Sequence, residues 1–199
     1  TNLKKFLKSR KVWCASSTHK TEEYICGKVH KSLKKKYKNL LTIIIPRHIE
    51  RTNSINDELN KLGLKIHNHE PQKKIKTNTD IYLVNSYGKT RSFYSNTNSI
   101  FLGGSLINHG GQNPLEAARY GCKILHGPNV SNFKEIYEFL KKNKISQKIN
   151  NYNVMIKSLD NLLSKKNNSR KIQNKLNLIG NKILKKTYNE ISLFFKNEF

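Results

Sequence analysis

Acidic residues are scarce: 13 Asp and Glu stand against 38 Lys and Arg, giving a formal net charge of +25 over 199 residues. A charge of that size ordinarily points to nucleic acid or an anionic membrane. The excess is Lys rather than Arg, in a chain also rich in Asn, Ile, Tyr and Phe, as an AT-rich coding sequence would produce. The lysines are dispersed along predicted helices (Lys34 to Lys36, Lys73 and Lys74, Lys141 and Lys142, Lys165 and Lys166), where a solvated face is the simple reading. No aromatic-rich strand or recognised motif accompanies the charge, so no nucleic-acid partner is expected. Attraction to an anionic membrane surface is a secondary use.

Cysteine is also sparse. Cys14, Cys26 and Cys122 are odd in number and widely spaced, which argues against a disulfide framework and for a reducing, cytoplasmic compartment. Long hydrophobic runs are missing: the longest, Leu40 to Pro46, is strand-sized and far below the roughly 20 residues of a spanning helix. No charged leader with an apolar core and cleavage site opens the chain, and a soluble chain is expected. No initiator Met stands before Thr1, so the sequence is expected to be part of a longer polypeptide. No Ser-His-Asp or Cys-His set is recognisable.

What is present is an alternation of strand and helix patterns. Val12 to Ser16 reads as a buried strand, and from Thr21 the four-residue recurrence of Ile25, Val29 and Leu33 predicts a helix, with Glu22 and Glu23 complementing its dipole. Leu40 to Ile45 has no polar alternation, the pattern of a strand covered on both faces. Ile55, Leu59 and Leu62 outline a helix closed by Gly63. Strands follow at Leu64 to His67, Ile81 to Val84, Ser99 to Leu102 and Lys123 to His126, with helices at Thr90 to Ser95, from Pro114 to Gly121, and at Asn132 to Lys142. Beyond Ile149 only helices are expected, Asn151 to Ser164 and Ser169 to Phe195, with a break around Lys166 to Asn168. The pattern predicts an α/β fold with a Rossmann-like parallel sheet over 1–150, and a helical extension over 151–199. Such sheets bind ligands beyond the carboxyl ends of their strands. Ser17 to His19, Pro46 to His48, Asn85 to Lys89, Gly103 to Ser105 and Gly127-Pro128 all directly follow predicted strands.

The stretch from Gly103-Gly104-Ser105 to Gly110-Gly111-Gln112-Asn113-Pro114-Leu115-Glu116 carries the most information. Paired glycines let backbone approach a ligand closely, and the second pair opens onto a helix N-terminus that favours phosphate. Glu116 would be placed to accept hydrogen bonds from ribose hydroxyls. A tight strand–loop–helix turn, with Glu116 complementing the dipole, accounts for the same residues. His67 and His69 share a strand face at a spacing that can hold a metal, although exposed strand histidines explain them more simply. Trp13 and Tyr24 are core or domain-contact residues on the simplest reading.

Four segments together resemble the Kdo transferases, glycosyltransferases of the GT-B class that act in lipopolysaccharide assembly. The glycine-rich stretch is similar to that family's "GGS…GGxNPLE". Ala15-Ser16-Ser17-Thr18-His19, with Glu22-Glu23, resembles its "AxSTHxGEE", and Pro46-Arg47-His48-Ile49-Glu50-Arg51 its "PRHPER". Gly127-Pro128 followed by Asn132-Phe133 resembles its "GPxxxNF". The order and spacing also match, and the likeness covers Thr1 to about Leu140. Thr1-Asn2-Leu3-Lys4 is similar to the family's interdomain junction.

The resemblance implies the C-terminal, donor-binding half of an enzyme that transfers Kdo, an acidic eight-carbon sugar, from CMP-Kdo to a lipid A precursor. The site would be the cytoplasmic face of the bacterial inner membrane, and the reaction would invert the anomeric centre without a metal or other cofactor. It also implies that Pro46 and Arg47 meet CMP, with Arg47 on the phosphate. Gly104, Ser105, Asn113, Pro114, Leu115 and Glu116 grip the nucleotide, with Glu116 on the ribose. Tyr87, Gly88 and Lys89 form a third contacting loop, and His19 lines the site. Arg47 and Glu116 should border one cleft. The catalytic base is expected in an N-terminal acceptor-binding domain, so no catalytic residue is assigned here and the chain should be inactive alone. Leu159, Leu162, Ile183 and Phe194 are candidates for the face turned toward that domain. The loop departs from the family's Asp-Thr-x-Gly-Glu, reading Asn85-Ser86-Tyr87-Gly88-Lys89, and Gln112 stands where His is common. Another GT-B enzyme using a UDP- or GDP-sugar, or a non-catalytic basic binding module, are the alternatives.

Overall fold

The computed structural model describes residues 2–70, 72–165 and 168–197. Thr1, in the junction-like opening, and Lys166 and Asn167, in the expected break, lie outside them. Seven strands among the described residues form one parallel sheet: β1 (Lys11–Thr18), β2 (Leu40–Pro46), β3 (Ile66–Asn68), β4 (Ile81–Leu83), β5 (Ser99–Leu102), β6 (Lys123–His126) and β7 (Ser146–Lys148). Their spatial order is β3-β4-β2-β1-β5-β6-β7. The helices are α1 (Asn2–Lys8), α2 (Glu22–Lys34), α3 (Thr52–Lys61), α4 (Thr90–Tyr94), α5 (Leu115–Arg119), α6 (Lys134–Lys142), α7 (Tyr152–Ser164) and α8 (Ser169–Asn197). No helix among the described residues is long and apolar enough to cross a membrane.

The pleat explains the core. Cys14, Leu41, Ile43, Ile45, Ile100, Leu102 and Ile124 point to one face, where Phe93 of α4, Ala117 and Ala118 of α5 and Leu140 of α6 cover them. The alternate residues Trp13, Ala15, Leu40, Ile44, Ile81, Phe101 and Leu125 point to the other, under Val29 of α2, Leu59 of α3 and Met155 and Leu159 of α7. Every residue of β2 is therefore buried. A buried polar pair sits in the second layer: His30 Nδ1 lies 2.8 Å from the Thr42 hydroxyl.

Three expectations change. β7 was not anticipated, because Ser-Gln-Lys has no apolar run; it forms an edge strand parallel to β6. The helix expected from Asn132 starts as a 3-10 turn, Ser131–Phe133, before α6 begins at Lys134. Leu159 is fully buried in the core instead of facing outward, so α7 packs on the sheet; α8 begins on the domain through Ile172, and its apolar residues beyond Ile179 are exposed. Asn151 caps α7, its side chain accepting the Val154 N–H at 3.0 Å. Trp13 is core, whereas Tyr24 is exposed.

β1 lies between β2 and β5, and the chain builds β2 to β4 on one side of it and β5 to β7 on the other. A crevice is expected beyond the carboxyl ends of β1 and β5 at such a switch point.

Candidate functional site

The loops at this end of the sheet are organised by two adjacent carboxylates. Glu22 is fully buried at the start of α2. Its Oε2 accepts the N–H groups of His19 at 2.9 Å and Gly104 at 2.8 Å, and its Oε1 those of Ser105 at 3.1 Å and Leu106 at 3.0 Å. Four converging donors satisfy a charge that would otherwise be costly to bury. Glu23, equally buried, forms a two-pronged pair with Arg51 at 3.0 and 3.2 Å. Burial pushes the Glu23 carboxyl up, and its bond to Arg51 opposes this. One carboxylate thus holds the loop after β5, and its neighbour holds the loop after β2. This corrects the reading of both as dipole complements.

Backbone contacts complete the frame. The Arg47 N–H donates to the Thr18 carbonyl at 2.9 Å, and the Gly103 N–H to that of Ser16 at 2.9 Å. A Cβ on Gly103 would lie 2.4 Å from the Ser17 carbonyl oxygen and 2.7 Å from Glu22 Oε2, so only glycine fits there. Ser17 (φ 54) and Thr21 (φ 79) hold left-handed conformations on either side of His19, which costs energy in non-glycine residues and is common at functional loops. The Gly127 N–H donates to the Ser105 hydroxyl at 2.8 Å, and the Asn132 N–H to the Gly110 carbonyl at 3.1 Å. The four motif segments therefore meet at one end of the sheet.

The expected contact residues fall into different environments. Arg47 is exposed at the carboxyl end of β2, and Pro46 is buried in the strand. Glu116 is also exposed, after β5, where its carboxylate is 3.1 Å from Arg91 Nε, a partner that local sequence patterns do not reveal. Asn113 caps the turn into α5, its Oδ1 accepting the Leu115 N–H at 3.0 Å, while Pro114 is buried and Leu115 partly exposed. Ser105 is a correction: it is fully buried, its N–H goes to Glu22, and its hydroxyl donates to the Leu102 carbonyl at 2.6 Å. The Gly104 N–H is likewise spent on Glu22. Both residues build the loop instead of presenting these groups to a ligand. α5 has only five residues, so its dipole is a minor source of anion attraction. Tyr87 and Lys89 are exposed, and a Cβ on Gly88 would meet nothing within 4 Å, so the third loop is open to solvent.

His19 is buried, and its Nε2 has no hydrogen-bond partner among the described residues. Its ring centroid is 4.2 Å from that of His109 and 5.6 Å from that of His48. Burial, then the positive fields of His109, His48, Arg47 and Arg51, push its pKa down to about 4. His67 and His69 instead pack on Tyr82, whose hydroxyl is 2.7 Å from His69 Nδ1. No group of three potential metal ligands occurs among the described residues.

The sequence and the fold both recur in known proteins. The chain is 37% identical over 131 residues to the 3-deoxy-D-manno-octulosonic acid transferase of Haemophilus influenzae, covering 66% of this chain and 31% of that protein. It is 33% identical over 172 residues to the transferase of the same name from Rickettsia bellii, covering 86% and 41%. The chain belongs to the Kdo transferase family. It spans less than half the length of these relatives. No protein-family model matches it. The fold resembles a solved structure described as the C-terminal CMP-Kdo binding domain of WaaA from Acinetobacter baumannii, with a TM-score of 0.77 and 24% identity over 84% of this chain and 88% of that one. In this member of the Kdo transferase family, the motif carboxylates are all engaged: Glu22 by N–H groups, Glu23 by Arg51, Glu116 by Arg91, and Glu50 by His48 at 3.2 Å.

Proposed function

We propose that this chain is the donor-binding unit of a glycosyltransferase that takes CMP-Kdo and passes Kdo to a lipid A precursor. The observation that carries the reading is the meeting of the four family segments at one crevice, with Glu22 and Glu23 fixing the loops on either side. Arg47 receives the CMP phosphate, its planar fork suited to paired bonds with one oxyanion group. Glu116, oriented by Arg91, receives the ribose hydroxyls. Asn113, Pro114 and Leu115 shape the nucleotide side, and Tyr87, Gly88 and Lys89 supply an outer contact.

Negative charge grows on the phosphate as the bond to the sugar breaks, and a fixed cation there binds the transition state better than the ground state. Arg47 supplies that difference without a metal. The base that activates the acceptor hydroxyl belongs to an N-terminal acceptor-binding domain, against which the apolar residues of α8 pack. The lysine-rich surface suits the cytoplasmic face of an anionic bacterial inner membrane.

Calorimetric titration with CMP, UDP and GDP tests the reading. CMP is expected to bind most tightly. A preference for UDP or GDP would move the chain to another class of donor. Salt-steep nucleic-acid affinity without CMP binding would make it a binding module.

A further inference from the structure

Beside the groups given to phosphate and ribose lies a cluster with no role yet. A Cβ on Gly104 (φ 65) would stand 3.1 Å from His109 Cδ2, 3.3 Å from Gln112 Nε2 and 3.3 Å from His19 Cδ2. The glycine is what lets these three side chains converge on one point of the backbone, which a Cβ there would crowd. His48 closes the fourth side, its ring 5.6 Å from that of His19.

The charges around this cluster are unbalanced. The carboxylates on α2 are spent, Glu22 on four N–H groups and Glu23 on Arg51. Glu50, in the turn after β2, is turned to His48. Arg47 has no carboxylate partner among the described residues. The cluster therefore combines imidazole and carboxamide donors with an unneutralised positive field. The buried, unpartnered Nε2 of His19 gives the same indication, since a buried polar atom without a bond favours any ligand that supplies one. His109 lies over that ring and is itself exposed, so the cluster has a side on the surface.

We infer that His19, His109 and Gln112, grouped around Gly104 with His48 at the edge, form a carboxylate subsite that recognises the acid group of the donor's sugar. The inference rests on reading the chain as a CMP-sugar binder: CMP carries one phosphate, which Arg47 takes, and the remaining acid on such a donor is the sugar carboxylate. The subsite would distinguish an acidic sugar from a neutral one.

Two measurements on the full chain test it. The first follows histidine ring resonances by NMR during titration with free Kdo and with its neutral 1-carboxamide. Kdo is expected to move the His19 and His109 signals, and the carboxamide to leave them in place. The second compares CMP-Kdo with CMP by calorimetry in the parent chain and in His109→Ala and His19→Gln. The ratio of CMP-Kdo to CMP affinity is expected to fall about tenfold in each variant. His109 is on the surface, so its variant gives a folded reference if His19→Gln does not fold. Equal responses to Kdo and its carboxamide, no response to either, or an unchanged ratio in folded His109→Ala would each overturn the subsite. A Kdo response without CMP binding would instead leave the subsite standing and remove the nucleotide reading.

Discussion

The carboxylate of Glu22 accepts the Gly104 N–H at 2.8 Å across 82 residues of chain. This bond, with those from Ser105 and Leu106, fixes the glycine-rich loop from below and makes the crevice a property of the folded core. Replacing Glu22 by Gln turns one acceptor oxygen into a donor that faces two N–H groups. A buried donor without a partner costs about 1–3 kcal/mol, and both N–H groups lose their acceptor while the new amide finds none. Glu22→Gln is expected to lower the urea midpoint clearly and to weaken CMP binding together with it. Unfolding indistinguishable from the parent chain would show that the loop holds its shape without this carboxylate.

Arg47 and Glu116 follow β2 and β5, the two strands that flank β1. Arg47→Ala removes a charge-assisted contact to phosphate and is expected to weaken CMP by about ten- to a hundredfold. Glu116→Gln should weaken CMP while hardly changing the affinity of a 2′,3′-dideoxy analogue, since the ribose hydroxyls are its proposed partners. Calorimetry on both variants, each shown to melt like the parent, checks this. Unchanged CMP affinity in both would sink the assignment.

The Arg91–Glu116 pair separates positioning from stability. The Arg91 and Glu116 side chains are 77% and 46% exposed, and exposed pairs contribute at most about 1 kcal/mol. Arg91→Ala is therefore expected to melt within a few degrees of the parent yet to bind CMP less tightly, because Glu116 loses its orienting partner. Rescue by Arg91→Lys should be partial, since a single ammonium replaces a planar fork. Equal CMP affinity in the parent and Arg91→Ala would show that Glu116 needs no partner.

Much of this was legible in the sequence because the signals are local. Ser99–Leu102 and Lys123–His126 appear where their short apolar runs predict them, and Gly63 sits just past α3 with φ 75, as a helix-closing glycine should. The β7 strand was hidden because edge pairing needs backbone, not apolar side chains. The roles of Glu22 and Glu23 were hidden for another reason. A Glu three residues after His19 is a legible sign of back-bonding to the loop, but its bonds to Gly104, Ser105 and Leu106 exist only after β1 and β5 pair. Leu159 was misplaced because an amphipathic pattern shows that a helix has a buried face without showing what buries it.

Stability should fall with acid, and histidine sets the window. His19, His30, His67, His69 and His126 all lie below the ordinary value of 6.5, each chiefly through burial, and His19 lies at about 4. Between about pH 6.5 and 4 the unfolded chain binds protons that the folded chain refuses, so stability rises with pH across that interval. Asp80 works lower down. Burial raises its carboxyl, but the Lys34 ammonium, the Lys65 N–H and the His30 ring 3.5 Å away together hold it well below the usual range, so its contribution is lost only under stronger acid. Urea midpoints at pH 7 and pH 5 check the sign: the pH 5 value is expected to be lower. A higher midpoint at pH 5 would mean that protonated imidazoles find partners inside the fold.

The last helix offers two apolar stripes with the same spacing, one that starts on the domain and one that does not touch it. Ile172, Leu176, Ile179 and Ile183 recur at i, i+4, i+7 and i+11, and the stripe begins on the domain, where Ile172 is buried and Leu176 packs against the core. Leu184, Tyr188, Ile191 and Phe195 repeat that spacing on a different side of the helix and are all exposed, as are Ile183 and Phe194. An apolar row surrounded by Lys182, Lys185 and Lys186 is not needed for the fold of β1 to β7. Changing Tyr188 and Ile191 together to Lys is therefore expected to leave the melting temperature of the domain nearly unchanged, as surface substitutions away from packed contacts do. The same change should reduce self-association in sedimentation velocity, because the row is the part of α8 that water covers least favourably. Loss of the cooperative melt would show that the row is anchored to the sheet and not free to meet an N-terminal domain.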